Sequence, residues 1–361
     1  GRPDCYNEIW IGSRDMRSFE CPHCKKQHVQ AMDRCPETGE PISEVHKLTG
    51  VVLADRYRLE RRLSEGGMGV VYEARHVKLG RLVAVKMLHP HLRVSVDTMK
   101  RFENEARLAA SVGHRAIVDV IDMGRHMGLP YFVMEYLEGE GLNEALEKRG
   151  SLPIGEAVDI VIEVLEGLRA VHEKGIVHRD LKPGNIMLAK QPGGTIAVKI
   201  LDFGICRLQT EEASQLHVTK TGSVFGTPRY MSPEQAQGLK DIDSRADLYS
   251  AGVILYRMVT GGFPFTGDNY NALLNSIATK DPIPPRRLKE SIPDGLEAII
   301  LRALAKHPED RYQDASAFME ALAPYASAPT ILPAGRSGRA QDRMTLPAPP
   351  PIDVAAVAAA A

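Results

Sequence analysis

Between about residue 57 and residue 325, apolar positions recur with a definite period, near two at first and near 3.6 later. Tyr57–Leu63, Val70–Val77 and Leu82–Leu88 are short runs rich in β-branched and aromatic residues. Gly-containing turns divide them, and they predict strands. A helix is predicted over Asp97–Val112, followed by strands at Ile117–Asp122 and Tyr131–Tyr136. From there the pattern is mostly helical. Within Pro153–Glu173, Ala157, Ile160, Val161, Val164, Leu165, Leu168 and Val171 take the i, i+3, i+4 spacing of a buried helix face. Ser244–Val259 is the next long helix, and Ser244 and Asp247 have the spacing of an N-terminal capping box. Shorter helices are predicted around Asn269–Ala278, Asp294–Ala305 and Ala315–Ala321. Strands first and helices afterwards predict an α+β, bilobal fold. Its β-rich lobe covers residues 57–137 and its α-rich lobe residues 138–325, with a ligand cleft between them.

The flanks lack this patterning. Residues 1–50 are punctuated by Cys and Pro, and residues 326–361 turn to Ala, Pro, Gly and Arg. The latter composition buries no core and reads as a disordered tail. Of the five cysteines, Cys5, Cys21, Cys24 and Cys35 stand near the start, which suits a reducing compartment with a metal knuckle better than a disulfide scaffold. A formal net charge of −1 gives no electrostatic case for nucleic acid. The basic group Arg286, Arg287 and Lys289 is broken by prolines and reads as a solvated loop. No apolar run reaches the ~18 residues that span a bilayer. A cytoplasmic location is expected, with membrane anchoring only if the natural chain continues past Ala361 into a transmembrane segment.

The chemistry-bearing residues fall inside the patterned region. Ser64-Glu65-Gly66-Gly67-Met68-Gly69 joins two strands, where glycines let backbone amides approach a polyphosphate. Flanking strands rather than a following helix argue against a dinucleotide fold. Lys86 ends the apolar strand Val83-Ala84-Val85-Lys86, and a buried ammonium there needs a carboxylate. Glu105 is the preferred partner, because Phe102, Ala106 and Ala109 share its side of the helix. Glu103 is the alternative, expected to face solvent. His178-Arg179-Asp180-Leu181-Lys182-Pro183-Gly184-Asn185 then supplies a carboxylate, a cation and an amide within eight residues, and Asp202-Phe203-Gly204 follows the strand Ala197–Leu201. Asn185 and Asp202 are oxygen ligands of the kind a hard cation takes.

In this order, with Met231-Ser232-Pro233-Glu234 after them, these motifs resemble the eukaryotic-type protein kinase family, and in particular bacterial Ser/Thr kinases. The resemblance covers residues 57–325, and Lys182 together with Gly226-Thr227-Pro228 is similar to the Ser/Thr branch. It implies transfer of the γ-phosphoryl group of ATP to protein Ser or Thr hydroxyls, with Mg²⁺, or Mn²⁺ as an alternative. It further implies that Lys86 holds the α- and β-phosphates and pairs with Glu105, that Asp180 accepts the hydroxyl proton, and that Lys182 neutralises the phosphoryl group in flight. Asn185 and Asp202 then ligate the metal. Nucleotide contacts are implied for Ser64, Glu65, Gly66, Gly67, Met68, Gly69, Val71 and Ala84. The backbones of Glu135 and Leu137 would face adenine, with Met134 as gatekeeper. Asp247 resembles a buried brace of the family, and so does Arg311, with Glu234 as its partner. Ser64 departs from the pattern, standing where the family has its first loop glycine. The intact catalytic set argues against a pseudokinase.

Between Gly204 and Ser232, Thr219 and Thr221 resemble activation sites, and Arg179 offers a guanidinium for a phosphate there. Autophosphorylation, with a homodimer as its candidate arrangement, is the expected regulation. In residues 1–50, Cys21-Pro22-His23-Cys24 has knuckle spacing, while Cys35 begins a second knuckle with Thr38 in place of a fourth cysteine. Zn²⁺ is expected on Cys21, Cys24, Cys35 and His28, with Cys5 or His23 as alternatives to His28. Such a segment also suits docking of a protein partner.

Overall fold

The computed structural model describes residues 18–21, 23–29, 32–40, 42–202 and 228–327. All but Ser327 lie in one unit, Gly1–Ala326. Eleven strands and nine α-helices are numbered below among the described residues.

The first element is a small hairpin of β1 (Ser18–Glu20) and β2 (Gln27–Val29). A 3₁₀ turn at Glu44–Lys47 leads into a six-stranded antiparallel sheet. Its strands are β3 (Val52–Leu53), β4 (Tyr57–Glu65), β5 (Gly69–His76), β6 (Leu82–Leu88), β7 (Val120–His126) and β8 (Leu129–Glu135), in the spatial order β3-β4-β5-β6-β8-β7. Period-two alternation gives the sheet two apolar faces. Val70, Tyr72, Val83, Val85 and Met87 pack outward with Val45, Leu48 and Leu53. Ala84, Leu88, Phe132 and Met134 pack inward, against Phe102 and Ala106. Those two residues lie on α1 (Val96–Val112), which Ser95 caps by accepting the Thr98 N–H and which ends at the left-handed Gly113.

The second lobe begins with β9 (Gly139–Gly141), α2 (Leu142–Arg149) and the long α3 (Ile154–His172). The hairpin β10 (Ile186–Lys190) and β11 (Ile196–Ile200) follows, with β10 central between β9 and β11. Then come α4 (Pro233–Ala236), α5 (Arg245–Thr260), α6 (Tyr270–Thr279), α7 (Pro285–Leu288), α8 (Asp294–Ala303) and α9 (Ala315–Leu322). The core runs between α3 and α5, and every apolar residue named above for the α3 face is buried in it.

The bilobal α+β expectation holds, with local corrections. The strand expected at Ile117–Asp122 begins at Val120; Ile117 instead bridges in parallel to Ile200 and so ties the first sheet to the second lobe. Residues 286–288 of the expected basic loop lie in the short helix α7. The capping box at Ser244 is absent, since that side chain makes no cap hydrogen bond. A capping box does form at Ser232 and Gln235.

Candidate active site

Lys86 lies on the inward part of β6, facing α1. Its Nζ sits 2.9 Å from Glu105 Oε1 and 2.7 Å from Asp202 Oδ1. Lys86 and Glu105 are both buried. Burial works against the lysine charge, but the two carboxylates outweigh it and its pKa is raised. Burial likewise opposes charge on Asp202, and Lys86 reverses it, so that carboxyl lies below the ordinary aspartate range. Glu103, the alternative partner, is taken instead by Arg125 at 2.7 Å.

Asn185 immediately precedes β10 and Asp202 lies just after β11. Because Ile186 pairs with Ile200, this hairpin brings the two motifs side by side, and the Leu201 N–H donates to the Asn185 carbonyl at 2.8 Å. Asn185 Nδ2 donates to the Asp180 carbonyl at 2.9 Å and lies 3.3 Å from its Oδ2. With that nitrogen committed, the amide oxygen is what Asn185 can offer a cation. Lys182 Nζ donates to the same carboxylate oxygen, 2.7 Å from Asp180 Oδ2. The Asp202 carboxylate and the Asn185 amide oxygen form a hard donor set that fits Mg²⁺. A cavity of about 270 Å³ adjoins Asp180 and Lys182, lined also by Asn143, Arg179, Tyr230 and Met231.

Asp247, on α5, holds the catalytic loop from beneath. Its carboxylate accepts the backbone N–H of His178 at 2.8 Å and of Arg179 at 2.7 Å, and it meets His172 Nε2 at 2.8 Å. The brace reading of Asp247 is therefore the one its contacts support, and the helix-cap reading is not. These bonds hold Arg179 at φ 66°, a left-handed geometry costly for a side-chain-bearing residue. Gln235 adds a bond to the Arg179 carbonyl at 2.8 Å. Farther out, Arg311 is fully buried and its guanidinium grips Glu234 with two parallel bonds of 2.8 Å each.

The cleft roof is apolar where the resemblance places adenine. Val71, Ala84, Met134 and Leu137 belong to one cluster with Leu201 below. The Glu135 N–H already donates to the Asp119 carbonyl at 3.0 Å. The Glu135 side chain is held by Lys199 at 2.5 Å, a hinge contact that the sequence did not signal. The glycine loop closes through Gly66 N–H to Gly69 carbonyl at 2.9 Å, with Gly67 and Met68 in the same turn and Ser64 near the end of β4, paired with Val71. Two of its glycines do different work. A Cβ on Gly66 would meet nothing, whereas one on Gly69 would stand 2.1 Å from the Met87 carbonyl. Glu65 pairs with Val70 and so shares that residue's outward face; its side chain turns away from the cleft and only its backbone belongs to the nucleotide loop.

Phe203, Gly204, Cys206, Thr219, Thr221, Gly226 and Thr227 lie outside the described residues, as does Cys5. In the N-terminal segment, one ligand atom from each of Cys21, Cys24, His28 and Cys35 lies within 4.8 Å of all the others. His28 Nε2 is 3.2 Å from Cys24 Sγ and 3.7 Å from Cys35 Sγ. Three thiols and one imidazole match the closed four-ligand set of structural zinc. Phe19 and Ile42 bury the group.

Comparison with known proteins agrees with this geometry. The sequence model described as "Protein kinase domain" matches residues 57–323. The serine/threonine-protein kinase Pkn1 of Myxococcus xanthus is 40% identical over 311 residues, 86% of this chain and 44% of that protein. The serine/threonine-protein kinase PknB of Mycobacterium leprae is 43% identical over 268 residues, 73% of this chain and 42% of that protein. The chain thus spans under half the length of these curated relatives. The crystal structure of the Mycobacterium tuberculosis PknI kinase domain superimposes with a TM-score of 0.60 at 27% identity, covering 77% of this chain and 99% of that one.

Proposed function

The chain belongs to the protein kinase domain family, and from that premise we propose that it transfers the γ-phosphoryl group of ATP to Ser or Thr hydroxyls of protein substrates. The observation that carries the proposal is the convergence of Lys86 on Glu105 and Asp202, beside the Asp180, Lys182 and Asn185 group. Each residue then has a role set by its surroundings. Lys86, kept charged by two carboxylates, binds the α- and β-phosphates. Asn185 and Asp202 hold Mg²⁺, which when bound spreads the charge of the phosphates. Asp180 orients the incoming hydroxyl and takes its proton as the new O–P bond forms and the bond between the γ-phosphorus and the β–γ bridging oxygen breaks, releasing ADP. Lys182 offsets the negative charge on the transferring group. Most of this work is positioning and electrostatics. Incubation with radiolabelled ATP and a Ser/Thr substrate protein checks it: label on protein is expected from the wild type, and none would refute the reading.

Two finer readings accompany it. Autophosphorylation at Thr219 or Thr221 activates the enzyme. Its support is Arg179, whose Nε is buried with no hydrogen-bond partner among the described residues and stands ready for an anion. Mass spectrometry of active enzyme should find one of the two threonines modified, and a rate rising with protein concentration would indicate transfer within a homodimer. The Cys21, Cys24, His28 and Cys35 group binds one Zn²⁺ per chain, making residues 1–50 a folded module able to dock a protein partner. Metal analysis of purified protein should return one zinc, lost in Cys24→Ser.

A further inference from the structure

Three consecutive side chains of the 3₁₀ turn at Glu44–Lys47 go to three different places. Val45 is buried in the outer core of the first sheet, with Leu53, Tyr57 and Val70. Lys47 reaches back to the N-terminal module, where its Nζ lies 2.6 Å from Asp33 Oδ1, and the Ile42 N–H donates to the carbonyl of the same aspartate at 2.8 Å. His46, also buried, reaches forward, its Nε2 lying 2.9 Å from Oε1 of Glu65 at the start of the glycine loop. Burial keeps the imidazole below its ordinary pKa against the pull of Glu65, so the neutral ring donates from Nε2. The Nδ1 side is buried with no hydrogen-bond partner among the described residues, and Glu65 is the ring's anchoring hydrogen bond.

This contact has a direction. Glu65 shares the outward face of Val70, opposite the face on which Val71 and Ala84 line the nucleotide cleft. Holding its carboxylate there keeps a negative charge away from the side the phosphates approach. It also fixes the end of β4 from which the loop departs. His89 completes the fastening from the other end, with its backbone N–H on the Met68 carbonyl at 3.0 Å and its ring on the Gly66 carbonyl at 2.9 Å. Ile42 belongs to the small core that encloses Cys21 and Cys35, only three residues before Val45. The metal cluster, the turn and the loop are thus one contiguous run of packed contacts.

We propose that His46 is a positioning residue through which the N-terminal module sets the nucleotide loop, so that Zn²⁺ on the Cys21, Cys24, His28 and Cys35 group and nucleotide in the cleft favour each other's binding. The proposal rests on the zinc and nucleotide readings above and adds the coupling between them. Without metal, four ligands no longer tie β1, β2 and the Cys35 turn together, the Asp33 and Ile42 anchor loosens, and Glu65 loses its short His46 bond, keeping only the longer contacts to Arg62 at 3.5 Å and His89 at 3.8 Å. Linkage makes the effect mutual: nucleotide should tighten zinc binding at equilibrium by the factor that zinc tightens nucleotide, and couplings of this kind start at about fivefold.

The test uses the full chain, with fluorescent N-methylanthraniloyl-ADP plus Mg²⁺ as the binding probe and zinc content measured on every sample. Stripping zinc with a chelator should weaken probe binding about fivefold, and returning zinc should restore it. His46→Ala should weaken binding of the zinc-loaded protein to a similar extent and make it indifferent to zinc, as expected when both changes act through one contact. His46→Gln, which keeps a donor, should recover most of the affinity and guards against misfolding of the alanine variant. In turnover the loss should fall on KM for ATP rather than on kcat. A chain that takes up no zinc overturns the metal reading and the coupling together. A chain that holds zinc but binds the probe equally with and without it overturns the coupling alone, as does zinc dependence that persists in His46→Ala. Because the readout is binding, failure of phosphotransfer would appear separately.

Discussion

Two of the buried, ion-paired cations among the described residues, Arg311 and Lys86, are handled differently. Arg311 is sealed: its guanidinium bonds Glu234 through two nitrogens and also the carbonyls of Ala305 and Lys306, with the Tyr249 ring 5.0 Å away. Every donor direction of consequence is filled by protein. Lys86 has one buried partner, Glu105, and a second, Asp202, whose side chain remains 42% exposed at the cleft. The first arrangement leaves nothing to bind, and the second leaves an open side. A buried charge that the fold satisfies fully is a brace, while one left partly exposed to solvent is available to a ligand.

Substitutions can separate the two. The largest expected effect is on turnover. Asp180→Asn and Lys86→Met should each lower phosphotransfer on the order of a thousandfold, by removing the proton acceptor or the phosphate-binding charge. Both should stay folded, because Asp202, one of the two carboxylates released by Lys86→Met, is exposed and can hydrate at the cleft. Circular dichroism alongside the radiolabel assay checks this, and an active variant would break the assignment. Glu234→Ala should do the reverse. It strands a sealed guanidinium and should cost about 3–5 kcal/mol of stability, read as the shift in urea midpoint. Activity should fall only as the folded population falls. If Lys86→Met proved the more destabilising of the two, the distinction drawn above would fail.

A third substitution tests the loop between these extremes. Gly69→Ala would place its methyl 2.1 Å from the Met87 carbonyl, a backbone atom with little room to yield. A loss of about 1–3 kcal/mol is expected. Gly66→Ala meets no atom and should leave stability nearly unchanged, so any effect it has should appear as weaker nucleotide binding.

Both ion pairs were legible in the sequence, Lys86 with Glu105 through an ordered set of motifs and Arg311 with Glu234 through its resemblance to a buried brace of the family. The choice of Glu105 over Glu103 followed from helix periodicity alone, and the pairing of Glu103 with Arg125 agrees with it. His28 likewise joined Cys21, Cys24 and Cys35 as expected. What local patterning misread was a long-range role. Ser244 and Asp247 have capping-box spacing, but Asp247 spends its oxygens on His178, Arg179 and His172. Those partners are remote in sequence, so nothing near Asp247 announced them. The same holds for Lys199 on Glu135 and for His46 on Glu65. The short β3 and the helix α2 were missed because a two-residue strand carries no period and the α2 sequence is mostly polar.

The smallest effect follows from the titration of the sealed pair. Burial alone would raise the Glu234 pKa, but the hydrogen bonds and charge of Arg311 win and depress it below the ordinary glutamate value. A depressed carboxyl binds fewer protons when folded than when unfolded. Its stabilisation is therefore full above the unfolded pKa of about 4.3 and is lost as pH falls through the lower folded value. Urea midpoints measured from pH 6 downward should accordingly drop more steeply below about pH 4.3 for the wild type than for Glu234→Gln, which has no proton to take up. Glu105→Gln offers the contrast, because the exposed side chain of Asp202 can still counter Lys86 in that variant. Parallel acid limbs for wild type and Glu234→Gln would mean that Arg311 is balanced by something other than the Glu234 charge.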